Sequence, residues 1–184
     1  MNRYLTPFLI AVLLTAGFRT TCIATDVSPP AASQVKAAMI FNLAKFIDWP
    51  AEVFPSGNTP FMICLIGKSA LGPALETLAG KTVKGRRVIV RHVSRSDDFN
   101  TCHSLVIGES ELRRIPAILD HTGRRPVVTI SDLPGFAGAG GIIGLVEQEG
   151  KIRFEINLEI ARQSNIRISP QLIRLAHIVG WMDR

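Results

Sequence analysis

Apolar and polar positions follow two different periods along this chain, and the changes of period mark its elements. Residues 33–50, SQVKAAMIFNLAKFIDWP, are apolar on almost every side, broken only by Lys36, Asn42, Lys45 and Asp48. That pattern predicts a helix over 33–48, covered by neighbours on more than one side and stopped by Pro50. Four short continuous apolar runs come next, at 61–67, 86–93, 103–108 and 126–131. Segments with helical spacing, SALGPALETLAG and ESELRRIPAILDH, follow the first and third of them. Strands that are apolar without alternation are covered on both faces, which is the habit of parallel sheets flanked by helices.

From residue 140 the period becomes two. GGIIGLVEQEGKIRFEIN carries two strand-like runs joined at Glu-Gln-Glu-Gly-Lys, and Ile152, Phe154 and Ile156 alternate with Arg153, Glu155 and Asn157. This predicts an antiparallel hairpin near the sheet edge with one solvated face. NLEIARQSN has helical character, and SPQLIRLAHIVG (169–180) predicts a last helix with Ser169 as N-cap and Pro170 in the first turn. The fold class expected is α/β: a single three-layer domain, a mostly parallel sheet with helices on both faces and an antiparallel edge hairpin. There is no internal repeat and no low-complexity segment.

The N-terminus adds a destination. A sparse basic start at Arg3, the apolar stretch FLIAVLLTAG (8–17) and small residues at Cys22 and Ala24 are the three parts of a secretory signal peptide. The stretch is short of the roughly 20 residues a membrane span needs. Residues 1–24 therefore read as a signal cleaved near Ala24, with a retained N-terminal anchor as the alternative. Residues 25–33 read as a flexible tether, and 34–184 as the domain. Loss of Arg3 and Arg19 would lower the formal charge from +6 to +4. A mildly basic chain without a Lys/Arg run interleaved with aromatics gives no nucleic-acid face; an anionic membrane surface or an acidic partner suits it equally.

Cysteine usage then follows from export. Cys64 and Cys102 remain after cleavage, and an exported chain with an even cysteine count is expected to be disulfide-bonded. The single bridge available closes a loop for which chain entropy suggests roughly 3–4 kcal/mol. Two buried free thiols are the alternative.

Catalytic chemistry finds no set of residues to carry it. His92, His103, His121 and His177 are not paired at metal-ligand spacing, no serine sits in a nucleophile elbow, and the carboxylates are scattered. No cofactor or metal is expected. Gly67-Lys68-Ser69 lacks the glycine five residues upstream, where Met62 stands, so it is a strand-to-helix turn and not a phosphate loop. GFAGAGG (135–141) precedes a strand instead of opening a helix, which disfavours a dinucleotide site. Arg167 and Ser169 beside a helix start form a candidate anion or ligand pocket, with an ordinary cap as the plainer reading. Phe46 and Trp49 are candidate partner contacts, with burial in the core as the alternative; Arg153 and Glu155, on the solvated hairpin face, are further candidates.

Taken in order, VKAAMIFNLAKFIDWP, FMICLIGKSALG, GRRVIV, CHSLVIGES, PVVTISDLPGFAGAGGIIGL and IRFEINLEIARQSNIRISPQLIRLA resemble the YfiR family over nearly the whole chain after the leader. The resemblance implies a periplasmic α/β protein that represses an inner-membrane diguanylate cyclase, is sequestered by an outer-membrane lipoprotein, and is not an enzyme. It also implies pairing of Cys64 with Cys102. A second bridge known in the family would fall near GGIIGL, where this chain has no cysteine. A homodimer is a further expectation. The alternative function is a small-anion-binding module built on Arg167 and Ser169.

Overall fold

The computed structural model describes residues 30–180, apart from Arg95 and Arg124. The expected signal peptide lies outside the described residues. Ten strands are present among the described residues: β1 Ile47–Asp48, β2 Phe61–Ile66, β3 Thr82–Val83, β4 Arg86–Val93, β5 Ser104–Ile107, β6 Val128–Ser131, β7 Ile143–Gln148, β8 Lys151–Asn157, β9 Arg167–Ile168 and β10 His177–Val179. The α-helices are α1 Pro30–Ala44, α2 Gly72–Glu76, α3 Ile115–Thr122, α4 Leu158–Gln163 and α5 Pro170–Ile173.

Eight strands form one sheet in the order β10-β8-β7-β6-β5-β2-β4-β3. Pairings from β4 through β2, β5 and β6 to β7 are parallel, and the hairpins β3–β4 and β7–β8 are antiparallel. The parallel centre follows from side chains apolar on both faces. Phe61, Ile63 and Leu65 of β2 point to a core shared with α1, α2, α4 and α5. Cys64 and Ile66 point to a second core shared with α3 and Phe99. The three layers are thus two apolar cores on either side of one sheet, and the Cys64–Cys102 disulfide lies in the α3-side core, with Cα atoms 5.8 Å apart.

Three expectations change. Helix α1 begins at Pro30, inside the segment read as tether, and ends at Ala44 instead of 48. Lys45 and Phe46 tighten the last turn by donating to the carbonyls of Asn42 and Leu43, and Ile47–Asp48 then becomes extended to pair with Arg167–Ile168. Pro50 restricts only Trp49 to extended backbone, beyond the helix end, so the pairing of Ile47–Asp48 with Arg167–Ile168 is what stops the helix at Ala44. The last helix is Pro170–Ile173 only; His177–Val179 runs as a strand along β8. The expected antiparallel hairpin lies near the sheet edge, with the short β10 covering only Glu155–Asn157 of its outer side. Ile178 and Val179 favour strand geometry, and pairing satisfies backbone groups that β8 would leave open.

Gly67 makes the expected turn after β2, with φ +77°. A β-carbon there would also collide with the Ser110 and Glu111 side chains.

Candidate functional site

Helix α1 sets up an open apolar surface. Val35, Met39 and Asn42 recur at helical spacing along α1 and, with Phe46 just beyond its end, line one side of a groove that faces α5 and Phe154 of β8. Phe154 of β8 and Leu172 and Leu175 close the other wall, giving a groove of about 390 Å³. Leu175 is 76% exposed, Val35 49% and Phe46 40%, so the groove's rim is apolar and in water. Leu175 is raised because α5 stops after one turn and the chain must swing into β10. A second hollow shares Phe46, Leu172 and Leu175 and is bounded by Gln171 and Arg174. A third, of about 530 Å³, shares Phe154 and Leu175 and carries Glu147, Arg153, Glu155 and His177.

The hollow of Phe46 and the hollow of Arg153 and Glu155 thus share Phe154 and Leu175, while the Arg153 and Glu155 side chains, alternating with Phe154 along β8, leave from the strand's other face. Trp49 is placed elsewhere. Its indole N–H donates to the His103 carbonyl at 2.9 Å, and its ring meets the edge of Phe61 at 4.9 Å. Arg167 is exposed on the two-residue strand β9, opposite Asp48. The Ser169 hydroxyl accepts the Leu172 N–H at 3.2 Å, and so serves as the cap of a four-residue helix. The sequence does not mark Val35 and Leu175 as surface residues, and Phe154 packs on the core while also walling the groove. Phe154 alternates with Ile152 and Ile156 and so reads as core, and Leu175 lies in a segment that reads as helix.

A different hollow, of about 620 Å³, opens at the amino ends of β2, β5 and β6, between Pro60, Met62, His103, Arg125 and Val127. His103 is its best-held group. The ring stacks between Phe54 at 4.4 Å and Phe61 at 5.3 Å. The Met62 N–H donates to Nδ1 at 3.0 Å, which leaves the proton on Nε2, where it faces the Val53 carbonyl at 3.2 Å. Burial holds this imidazole below its ordinary value of 6.5, the Val53 hydrogen bond opposes that shift, and the Arg86 charge adds to it. The ring is a neutral clamp on the 49–60 loop. Among the described residues no three His, Cys, Asp or Glu side chains are placed to hold a metal.

The family model described as YfiR/HmsC-like matches residues 33–177, from the first turns of α1 to the start of β10. The chain belongs to the YfiR/HmsC-like family. That family is associated with periplasmic regulation of diguanylate cyclases and is regulatory, not catalytic. The match contains every residue of the α1–α5 groove. Among solved structures, this YfiR/HmsC-like chain is similar to an ABC domain from Streptococcus pneumoniae in complex with L-Trp. The identity is 12% and the TM-score 0.49, over 80% of this chain and 60% of that one. No helix among the described residues is long and apolar enough to cross a membrane.

Proposed function

We propose that this YfiR/HmsC-like protein is exported, loses its leader near Ala24, and represses an inner-membrane diguanylate cyclase by contacting the cyclase's periplasmic part. The observation that carries the reading is the groove between α1 and α5. Its rim of Val35, Phe46 and Leu175 is apolar and exposed, and the hollow of Arg153 and Glu155 adjoins it through Phe154 and Leu175. A contiguous apolar surface with a polar margin suits a protein partner, whose anchors would fill the groove while the charges fix register. Sequestration by an outer-membrane lipoprotein on the same surface would release the cyclase, since two partners cannot fill one groove at once.

The test measures cyclic di-GMP in cells lacking the protein and in cells given it back. Deletion should raise the nucleotide, and only the exported form should restore it. Leu175→Glu is the discriminating variant. Its side chain is already mostly in water, so the fold should be unaffected, while a carboxylate at the groove mouth should weaken the contact at least tenfold. An unchanged cyclic di-GMP level on deletion would reject repression. Full repression by Leu175→Glu would move the contact off the groove.

A further inference from the structure

Between Glu76 and Asp97 the chain has no carboxylate and six Lys/Arg residues. The structure folds this stretch into the edge of the sheet opposite β10: the hairpin β3–β4, with Lys84-Gly85 at its turn. Lys81 lies 5.6 Å from the centre of the Phe41 ring, and Lys45 of the chain just after α1 lies 4.4 Å from it, so two elements present their ammonium groups around one half-buried aromatic. Arg87 reaches back along the edge to Gly80, and Ile89, two residues on, is 40% exposed. Lys84 pairs with Asp48, and Arg86 is held inward by the carbonyls of Ser56, Gly57 and Thr59. No carboxylate among the described residues lies within ion-pair distance of Lys45, Lys81 or Arg87.

We infer that this rim docks the protein on an anionic lipid surface. Edge strands carry lysines to discourage edge-to-edge pairing, which explains one or two cations. It does not explain Lys45, which comes from another element and converges on the same ring. A second copy would bring the same charge against itself. An acidic peptide would want a cleft, whereas the hollow at this rim is about 80 Å³ and is lined by Trp49, Phe54 and Arg86. Cations without a carboxylate partner among the described residues, on an edge that also exposes Ile89, suit a diffuse anionic interface, where each Lys or Arg contributes about fivefold in affinity. Lys45 also donates to the Asn42 side-chain oxygen at 2.9 Å, and Asn42 lines the groove, so the rim adjoins the groove at the end of α1. The inference does not depend on what the groove binds.

The experiment is co-sedimentation of the protein, recovered from the periplasm of an expressing bacterium, with vesicles of phosphatidylcholine alone or with about one-third phosphatidylglycerol. Binding should need phosphatidylglycerol and weaken steeply with salt as screening shortens to about 10 Å near 0.1 M. Lys45→Gln/Lys81→Gln/Arg87→Gln should lose on the order of a hundredfold, and Arg87→Gln alone about fivefold. Lys68→Gln/Arg113→Gln/Lys151→Gln removes the same charge elsewhere and should retain binding. Equal loss in both triple variants, equal binding to both vesicles, or no binding overturns the inference. Rim-dependent binding to polyglutamate with none to the anionic vesicles would assign the rim to an acidic protein and overturn it equally.

Discussion

His103 shows how one side chain can make a loop conditional on pH. Both ring nitrogens are committed, Nδ1 as acceptor from Met62 and Nε2 as donor to Val53, and the ring is stacked between Phe54 and Phe61. A second proton can enter only at Nδ1, where it would displace the Met62 N–H. The folded value lies below the ordinary 6.5, so the unfolded chain binds its proton first as pH falls. Stability from this group is therefore complete above about pH 7 and is lost as pH drops through 6.5 toward the lowered folded value. Melting temperatures measured from pH 8 to 5 should fall across that window, and His103→Gln, though less stable overall, should show a flatter slope. Parallel curves for the two proteins would dismiss the mechanism.

At the scale of elements, the buried Asn157 is the joint between β8 and α4. Its side-chain oxygen caps α4 by accepting the Ile160 N–H at 3.1 Å, and its amide donates to the Ala137 carbonyl at 3.0 Å in the glycine-rich loop. Asn157→Ala removes a cap worth ~1 kcal/mol and leaves a buried carbonyl unpaired at ~1–3 kcal/mol, so denaturant unfolding should show a loss of about 2–4 kcal/mol. A loss under 0.5 kcal/mol would mean that water or Ala137 rearrangement replaces both bonds. The sequence marks such joints unevenly. The strands were legible because a run such as FMICLI is apolar on both faces and has no other stable burial. The cap at Ser169 was legible because Ser-Pro starts a helix by local geometry. Helix ends were not: Ala44 is the last helical residue because Ile47 pairs with Ile168, some 120 residues on, and α5 ends early because His177–Val179 completes the exposed side of β8. The groove was half legible for the same reason. Phe46 stands out at the end of an apolar helix, but Leu175 becomes a surface residue only once a distant pairing has shortened its helix.

Over the whole molecule, the sheet divides labour between its faces. The disulfide joins β2 to the segment entering β5 on the α3 side, with both sulfurs buried. The groove belongs to the α1 side, and none of the residues that line it belongs to the α3-side core. Stapling one face should therefore stabilise the domain without shaping the surface on the other. With a sequence separation of 38 between the cysteines, chain entropy gives about 4 kcal/mol. At roughly 2–4 °C per kcal/mol for a domain of this size, a reducing agent should lower the melting temperature on the order of 10 °C. Thiol titration of the denatured, unreduced protein should find neither Cys64 nor Cys102; two reactive thiols there would remove the premise. Below the melting range, Cys64→Ala/Cys102→Ala should still bind whatever partner Leu175→Glu fails to bind, at comparable affinity. If instead the cysteine variant loses the partner while remaining folded, the two faces are mechanically coupled through the sheet, and the bridge is part of the binding surface's support.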